Sequence, residues 1–97
     1  VNIALGTDQF PFEPNDGTTA TVHEAELYVA AGMSPLDALR AGTTNCARML
    51  GVERDVGTLT AGKYADIVAV DANPLQDIAA LRTISFVMKG GQVVRQD

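Results

Sequence analysis

The carboxylate of Asp8 is the first side chain in the sequence whose position favours chemistry. It follows the apolar run Val1–Leu5 and closes the tripeptide Gly6-Thr7-Asp8, so it lies where a buried strand is expected to end. A carboxylate at such a point can accept a proton from a reacting group. Aspartate is also a common turn residue, and the tripeptide taken alone favours that structural interpretation.

Other polar side chains follow Asp8 at short spacing. His23, near the start of an expected helix, could line a substrate pocket above Asp8, although an exposed residue of the first helical turn is the favoured interpretation. The adjacent Glu24 would interact well with the helix dipole. Glu13 and Asp16 belong to the loop after Asp8 and could meet polar groups of a substrate, but loop carboxylates are more often only solvated.

The sequence context of Cys46 and of several glycines indicates structural roles for them. Cys46 lies on an expected helix with no second cysteine or histidine nearby in sequence, so a buried thiol is favoured over a nucleophile or a metal ligand. Glycines are expected to supply positive-φ turns and not phosphate contacts. These glycines are Gly57, Gly62, Gly90 and Gly91.

Composition and charge disfavour several classes of function. The 97 residues suffice for one small domain, and a hydrophobic content of 46% argues against disorder. The net charge is −5 and the basic residues are scattered singly, so nucleic-acid binding is disfavoured. No apolar run approaches the roughly 20 residues of a membrane span, and no signal peptide is expected. A single cysteine fits a reducing, cytoplasmic compartment.

The pattern of apolar, proline and glycine residues predicts a strand followed by three helices. The strand is expected over residues 1–5 and the first helix from about Thr21 to Ala31. Ser34-Pro35 predicts the N-cap and first residue of the second helix, and Thr43 or Thr44 is expected to cap the third. Glycines expected to end these helices are Gly32, Gly42 and Gly51.

After Gly51 the periodicity becomes that of strands. Residues 65–70 form a β-rich run, residues 77–81 can make one helical turn, and the segments around Gly90-Gly91 predict a hairpin. An initial strand followed by helices has no parallel neighbour within the chain. We therefore expect the chain to be part of a larger assembly, cut at the start of a buried strand.

Five blocks of the sequence resemble the amidohydrolase superfamily in residue type and in order. They are Gly6-Thr7-Asp8, residues 31–39 (AGMSPLDAL), 41–47 (AGTTNCA), 56–68 (VGTLTAGKYADIV) and 87–91 (VMKGG). The blocks extend over nearly the whole chain, and block 56–68 is quite specific. The sequence is most similar to the C-terminal segment of the imidazolonepropionase-like and Xaa-Pro dipeptidase-like branch.

The resemblance implies an α/β fold, namely the C-terminal part of a (β/α)₈ TIM-like barrel and the C-terminal strands of a small β-sandwich. Residues 1–55 would hold the last barrel strand, the active-site loop and helices, and residues 56–97 the sandwich strands. The rest of the barrel and the N-terminal sandwich strands would be partners outside this chain. Asp66 would then lie far from the metals, with a hydrogen-bonding role that faces a turn.

The resemblance also implies hydrolysis of amide-like C–N bonds by metal-activated water. Asp8 would be a metal ligand and a catalytic residue that takes a proton from the water and passes it to the leaving amine. One or two divalent ions, with zinc expected, would take their other ligands from outside this chain, because zinc sites use about three protein ligands. The chain alone is expected to be inactive. Its substrate would be a small amide or peptide, with Glu13 and His23 as candidate contacts.

A second interpretation makes the chain a non-catalytic module. Such a module would stand alone and complete its sheet by dimerisation or by binding a partner, which leaves a homo-oligomer open. Neither interpretation calls for a membrane or a nucleic acid.

Overall fold

The computed structural model describes residues 1–8 and 20–97. Helices come first: α1 (Ala20–Ala30), α2 (Pro35–Gly42) and α3 (Thr44–Met49). Strands follow: β1 (Ile67–Val70), β2 (Ile84–Lys89) and β3 (Gln92–Gln96), with a 3₁₀ helix (Ile78–Arg82) between β1 and β2. The described part of the chain is therefore α/β, with helices preceding an antiparallel sheet, in the order that the sequence predicts for residues 20–97.

The start of α2 confirms the expected cap. Ser34 is the N-cap residue, its Oγ accepts a hydrogen bond from the Asp37 N–H at 3.1 Å, and Pro35 is the first helical residue. Thr43 is the N-cap residue of α3, as one of the two expected candidates, but it caps the helix without a side-chain hydrogen bond. Its hydroxyl donates to the Leu39 carbonyl at 2.7 Å and makes no capping bond to α3, because α2 ends there with carbonyls that have no helical partner.

The sheet has the strand order β1-β2-β3, and both strand pairs are antiparallel. The predicted turn between β2 and β3 is confirmed, since Gly90 and Gly91 have φ values of 56° and 84°. Two successive positive φ angles are what a two-residue turn of type I′ requires, and glycine adopts them without a steric cost. The hairpin is thus determined locally by its two glycines.

The strand predicted over residues 1–5 is not formed in the structure. A strand requires a neighbouring strand to accept and donate its backbone hydrogen bonds, and β1, β2 and β3 pair only with one another. Residues 1–5 instead contact the corner between α2 and α3, with the Leu5 N–H donating to the Ala41 carbonyl at 2.9 Å. Ile3 is 45% exposed and Leu5 is half-buried.

A small cluster of buried residues joins the helices to the 3₁₀ helix. Ala25 of α1, Ala38 of α2 and Ile78 form its centre, and Leu5 packs against it. The other half-buried side chains around it are Tyr28, Val29, Met33, Leu39 and Leu81. Its centre is mostly alanine, so the helices approach closely while many larger apolar side chains stay near the surface.

The described helices are short. Among residues 1–8 and 20–97, no helix has the length and apolar character needed to cross a membrane.

Candidate functional site

The backbone of Asp8 is in an unusual conformation. Its φ is 49°, in the left-handed region, and no other described non-glycine residue has a positive φ. Aspartate tolerates this region better than most residues, but an L-residue held there still costs of the order of 1 kcal/mol. Its side chain is exposed. Strained residues cluster at functional sites, and this supports the catalytic role predicted for Asp8, which stays a prediction.

The thiol of Cys46 contacts the segment that leads to Asp8. Cys46 Sγ donates to the Ala41 carbonyl at 3.0 Å and also lies 3.5 Å from the Leu5 carbonyl. The side chain is half-buried, which is less than predicted. Both contacts are to backbone oxygens, and this fits a structural role for the thiol.

His23 lies on α1 next to an ion pair that the sequence did not suggest. Its Nδ1 is 3.7 Å from Glu26 Oε1, and its side chain is 61% exposed. Glu26 in turn accepts a forked interaction from Arg82, whose Nε lies 3.1 Å from both carboxylate oxygens. His23 is therefore an exposed residue near the start of α1, and its role as a substrate contact stays a prediction. The proposed substrate contact Glu13 and its neighbour Asp16 lie outside the described residues.

The ion pair between Glu26 and Arg82 joins α1 to the 3₁₀ helix across 56 positions of sequence. The hydrogen bonds from the Arg82 guanidinium lower the pKa of Glu26, and its burial opposes them only in part. Only 24% of the Glu26 side chain is exposed, so the pair is better shielded from water than most surface pairs. Ala25 of α1 and Ile78 of the 3₁₀ helix also meet in the buried cluster, so the ion pair is a second contact between the same two elements.

We expect Glu26→Gln to destabilise the isolated chain by about 1 kcal/mol at pH 7, near the upper end for a partly exposed pair. Because the pKa of Glu26 is lowered on folding, its stabilisation is complete above the ordinary glutamate pKa of about 4.3 and disappears as the pH falls through the lower folded value. Urea unfolding at several pH values measures this difference. Asp37→Asn is the control, since the Asp37–Arg40 pair is mostly exposed. An equal loss for both variants would contradict the account.

Asp66 has the structural role expected of it. Its Oδ1 accepts from the Gly90 N–H at 2.8 Å and its Oδ2 from Lys89 Nζ at 3.0 Å. The hydrogen bond from Gly90, followed by the one from Lys89, lowers the pKa of the Asp66 carboxyl. The aspartate thus joins the start of β1 to the hairpin turn, and the prediction of a turn-facing contact is confirmed.

The described residues do not form a metal site by themselves. Within residues 1–8 and 20–97, no three histidine, cysteine, aspartate or glutamate side chains are grouped closely enough to hold an ion. The carboxylate oxygens of Asp8 can coordinate a divalent ion, but a catalytic zinc site needs about three protein ligands. Asp8 could therefore supply one ligand to a site whose other ligands lie elsewhere.

An apolar cleft of about 420 Å³ lies between α3 and the segment that precedes β1. Leu59 and Tyr64 line it and are 81% and 66% exposed. The sequence predicts turns at Gly57 and Gly62, but it does not indicate that the apolar side chains around them are exposed on one surface. The remaining apolar side chains that line the cleft are Cys46, Ala47, Leu50, Val52, Val56, Ile67 and Val68. Large apolar side chains exposed together in this way are typical of a contact surface.

Comparison with known proteins relates the chain to one family. Residues 1–94 match the model of the amidohydrolase family. The chain is 36% identical over 100 residues to an ochratoxinase of Aspergillus niger, an alignment that covers 98% of this chain and 20% of the relative. It is 35% identical over 98 residues to an imidazolonepropionase of Shouchella clausii, covering 97% of this chain and 22% of the relative. The chain thus spans about a fifth of the length of these relatives.

A solved structure shows the same similarity in three dimensions. The crystal structure of a Xaa-Pro dipeptidase with methionine bound in its active site superposes with a TM-score of 0.75 and 32% identity. The superposition covers 77% of this chain and 18% of that protein. The resemblance predicted from the five sequence blocks, including the imidazolonepropionase-like and dipeptidase-like branch, is confirmed by these matches.

Proposed function

The chain belongs to the amidohydrolase family, and we propose that it is the C-terminal segment of a hydrolase that cleaves amide-like C–N bonds. The observation that carries the proposal is the family match over residues 1–94, which includes Asp8. In this proposal residues 1–55 complete a (β/α)₈ barrel and residues 56–97 contribute to a β-sandwich. Active sites of such barrels lie at the C-terminal ends of the strands, and Asp8 directly follows the segment predicted as a strand.

Asp8 is the residue that transfers protons in the proposed reaction. A bound divalent ion, with zinc expected, would supply a water of lowered pKa. The Asp8 carboxylate accepts the proton of the attacking water and then gives it to the nitrogen that leaves. The Asp8 side chain is exposed in this chain, which leaves its carboxylate oxygens accessible.

The substrate proposed is a small amide or peptide. The names of the relatives, ochratoxinase, imidazolonepropionase and Xaa-Pro dipeptidase, suggest three chemical types for a first panel. Glu13 and His23 are the candidate substrate contacts in this chain. Hydrolysis of such a panel by the complete protein, with its metal content measured, tests the activity, and a metal-loaded protein that cleaves none of these amides would contradict it.

The partner proposed for the apolar cleft is the remainder of the same polypeptide. The relatives are about five times as long as this chain, and a leucine as exposed as Leu59 gains about 2 kcal/mol on full burial. The stand-alone module is not favoured, because the chain aligns over nearly its whole length with proteins that bear enzyme names. Packing of the remaining chain against Leu59 and Tyr64 would cover the cleft.

We expect Leu59→Asp to act differently in the isolated chain and in the complete protein. In the isolated chain, where Leu59 is 81% exposed, the change in the free energy of unfolding should stay within about 0.5 kcal/mol. In the complete protein it should exceed about 2 kcal/mol, because a carboxylate would enter a buried apolar contact. Leu75→Asp is the control, since Leu75 is exposed outside the cleft. Equal effects of Leu59→Asp in the two proteins would contradict the proposed partner.

A further inference from the structure

Asn45, in the first turn of α3, forms hydrogen bonds with the segment that precedes Asp8. Its Nδ2 donates to the Ile3 carbonyl at 3.0 Å, across 42 positions of sequence. Its own carbonyl accepts from Asn2 Nδ2 at 3.3 Å. The contact is therefore reciprocal, with one bond made by the side chain of Asn45 and the other by its backbone.

The neighbours of Asn45 extend this contact towards Asp8. The carbonyls of Ile3 and Leu5 are two residues apart, and both face the first residues of α3. Asn45 donates to the first, and the adjacent Cys46 thiol lies 3.5 Å from the second. The Leu5 N–H donates to the Ala41 carbonyl. The corner between α2 and α3 thus holds the backbone at both ends of the Ile3–Leu5 stretch.

Asn45 is the second residue of α3, so the cost of asparagine in a helix interior does not apply to it. The side chain of an asparagine can hydrogen-bond to backbone groups, and its partner therefore indicates its role. Here the amide bonds to a residue from a different part of the chain, and the side chain is half-buried. The Asn45 side-chain N–H thus donates to the segment that precedes Asp8 and not to a carbonyl of α3.

We infer that Asn45 is a positioning residue for Asp8, an inference that rests on the proposed function. Only two residues, Gly6 and Thr7, lie between Leu5 and Asp8, so fixing Ile3 and Leu5 sets the direction in which the chain reaches the carboxylate. Asn45 does not touch the reacting atoms in this account. It acts through the backbone of residues 3–8, and its removal should allow that segment to shift relative to α3.

Amide hydrogen exchange in the isolated chain tests the contact without any activity. In Asn45→Ala the protection of the Leu5 amide should fall about tenfold, the equivalent of about one lost hydrogen bond. In Asn45→Asp it should fall further, because an acceptor would then face the Ile3 carbonyl. Asn73→Ala is the matched control, since Asn73 also bonds to backbone at 3.0 Å but only locally, to Leu75. Wild-type protection of Leu5 in both Asn45 variants would overturn the inference.

The kinetics of the complete protein test the consequence for Asp8. We expect Asn45→Ala to lower kcat about tenfold to a hundredfold with little change in KM, as for a displaced catalytic group. Asn45→Gln, which keeps the N–H donor, should lose less than Asn45→Asp. If Asp8→Asn abolishes hydrolysis while kcat is unchanged in every Asn45 variant, only the positioning inference fails. If Asp8→Asn hydrolyses at the wild-type rate, the proposed function fails. The exchange result for Leu5 then decides independently whether Asn45 fixes the segment that precedes residue 8.

Discussion

Gly57→Ala is expected to destabilise the chain by about 2–5 kcal/mol, more than any other alanine replacement of a glycine in the described residues. A Cβ at Gly57 would lie 2.9 Å from the Cβ of Ala47, which is nearly fully buried on α3. Overpacking of this kind costs about 1–3 kcal/mol. The φ of Gly57 is also 101°, and an L-residue with such a φ adds about 1–2 kcal/mol.

Gly62→Ala separates these two causes. Gly62 has a similar φ of 93°, but a Cβ there would meet no atom within 4 Å. Gly62→Ala should therefore lower the free energy of unfolding only by the cost of the positive φ, about 1–2 kcal/mol. Urea unfolding of the isolated chain measures both variants, and combining Gly57→Ala with Ala47→Gly should recover part of the loss. If Gly57→Ala and Gly62→Ala were equally stable, the close packing of Gly57 on α3 would be refuted.

Asp8→Asn should lower kcat of the complete protein by about 10²–10⁴, the usual contribution of a positioned acid or base. Asparagine has nearly the same shape and also tolerates the left-handed region, so the φ of 49° can be kept. The variant loses only the ability to accept a proton and to offer a charged oxygen to a cation. The free energy of unfolding should therefore change by less than about 0.5 kcal/mol.

Asp71→Asn is the matched control for this experiment. Asp71 is also exposed and follows directly after β1, but it has no part in the proposed reaction. Hydrolysis should continue at the wild-type rate in Asp71→Asn. A loss of similar size in both variants would show that the effect of Asp8→Asn reflects general charge and not a role of this carboxylate.

Features determined by neighbouring residues could be predicted from the sequence. Ser34 followed by Pro35 predicts the start of α2, because both the cap and the fixed proline φ act within one helical turn. Gly90-Gly91 predicts the hairpin in the same way, since the turn needs positive φ at two adjacent positions. Membership of the amidohydrolase family could also be predicted, because the blocks that indicate it are contiguous stretches of sequence.

Features determined by distant residues could not be predicted. The interactions of Glu26 with Arg82 and of Asn45 with Ile3 span 56 and 42 positions, and neither pair has a local sequence pattern. Residues 1–5 have the apolar character of a buried strand, but pairing depends on neighbours that the described residues do not supply. The exposure of Leu59 could not be predicted either, because a pattern of residue types does not indicate which apolar side chains are covered by other parts of the protein.

The candidate site was identified in part. Asp8 was selected because its tripeptide stands within a set of family blocks, and its positive φ is an independent feature that sequence could not reveal. Asn45 lies within block 41–47, but nothing in the sequence distinguishes it from the other residues of that block. Its contribution depends on where the backbone of Ile3 lies, and only the structure supplies that position.

The rate of amide hydrolysis by the complete protein, measured for wild type and Asp8→Asn at known metal content, tests the central claim most directly. The account predicts that the metal-loaded wild-type protein cleaves at least one amide of the panel and that Asp8→Asn, equally folded, cleaves it at least about a hundredfold more slowly. Hydrolysis by Asp8→Asn at the full wild-type rate would contradict the account.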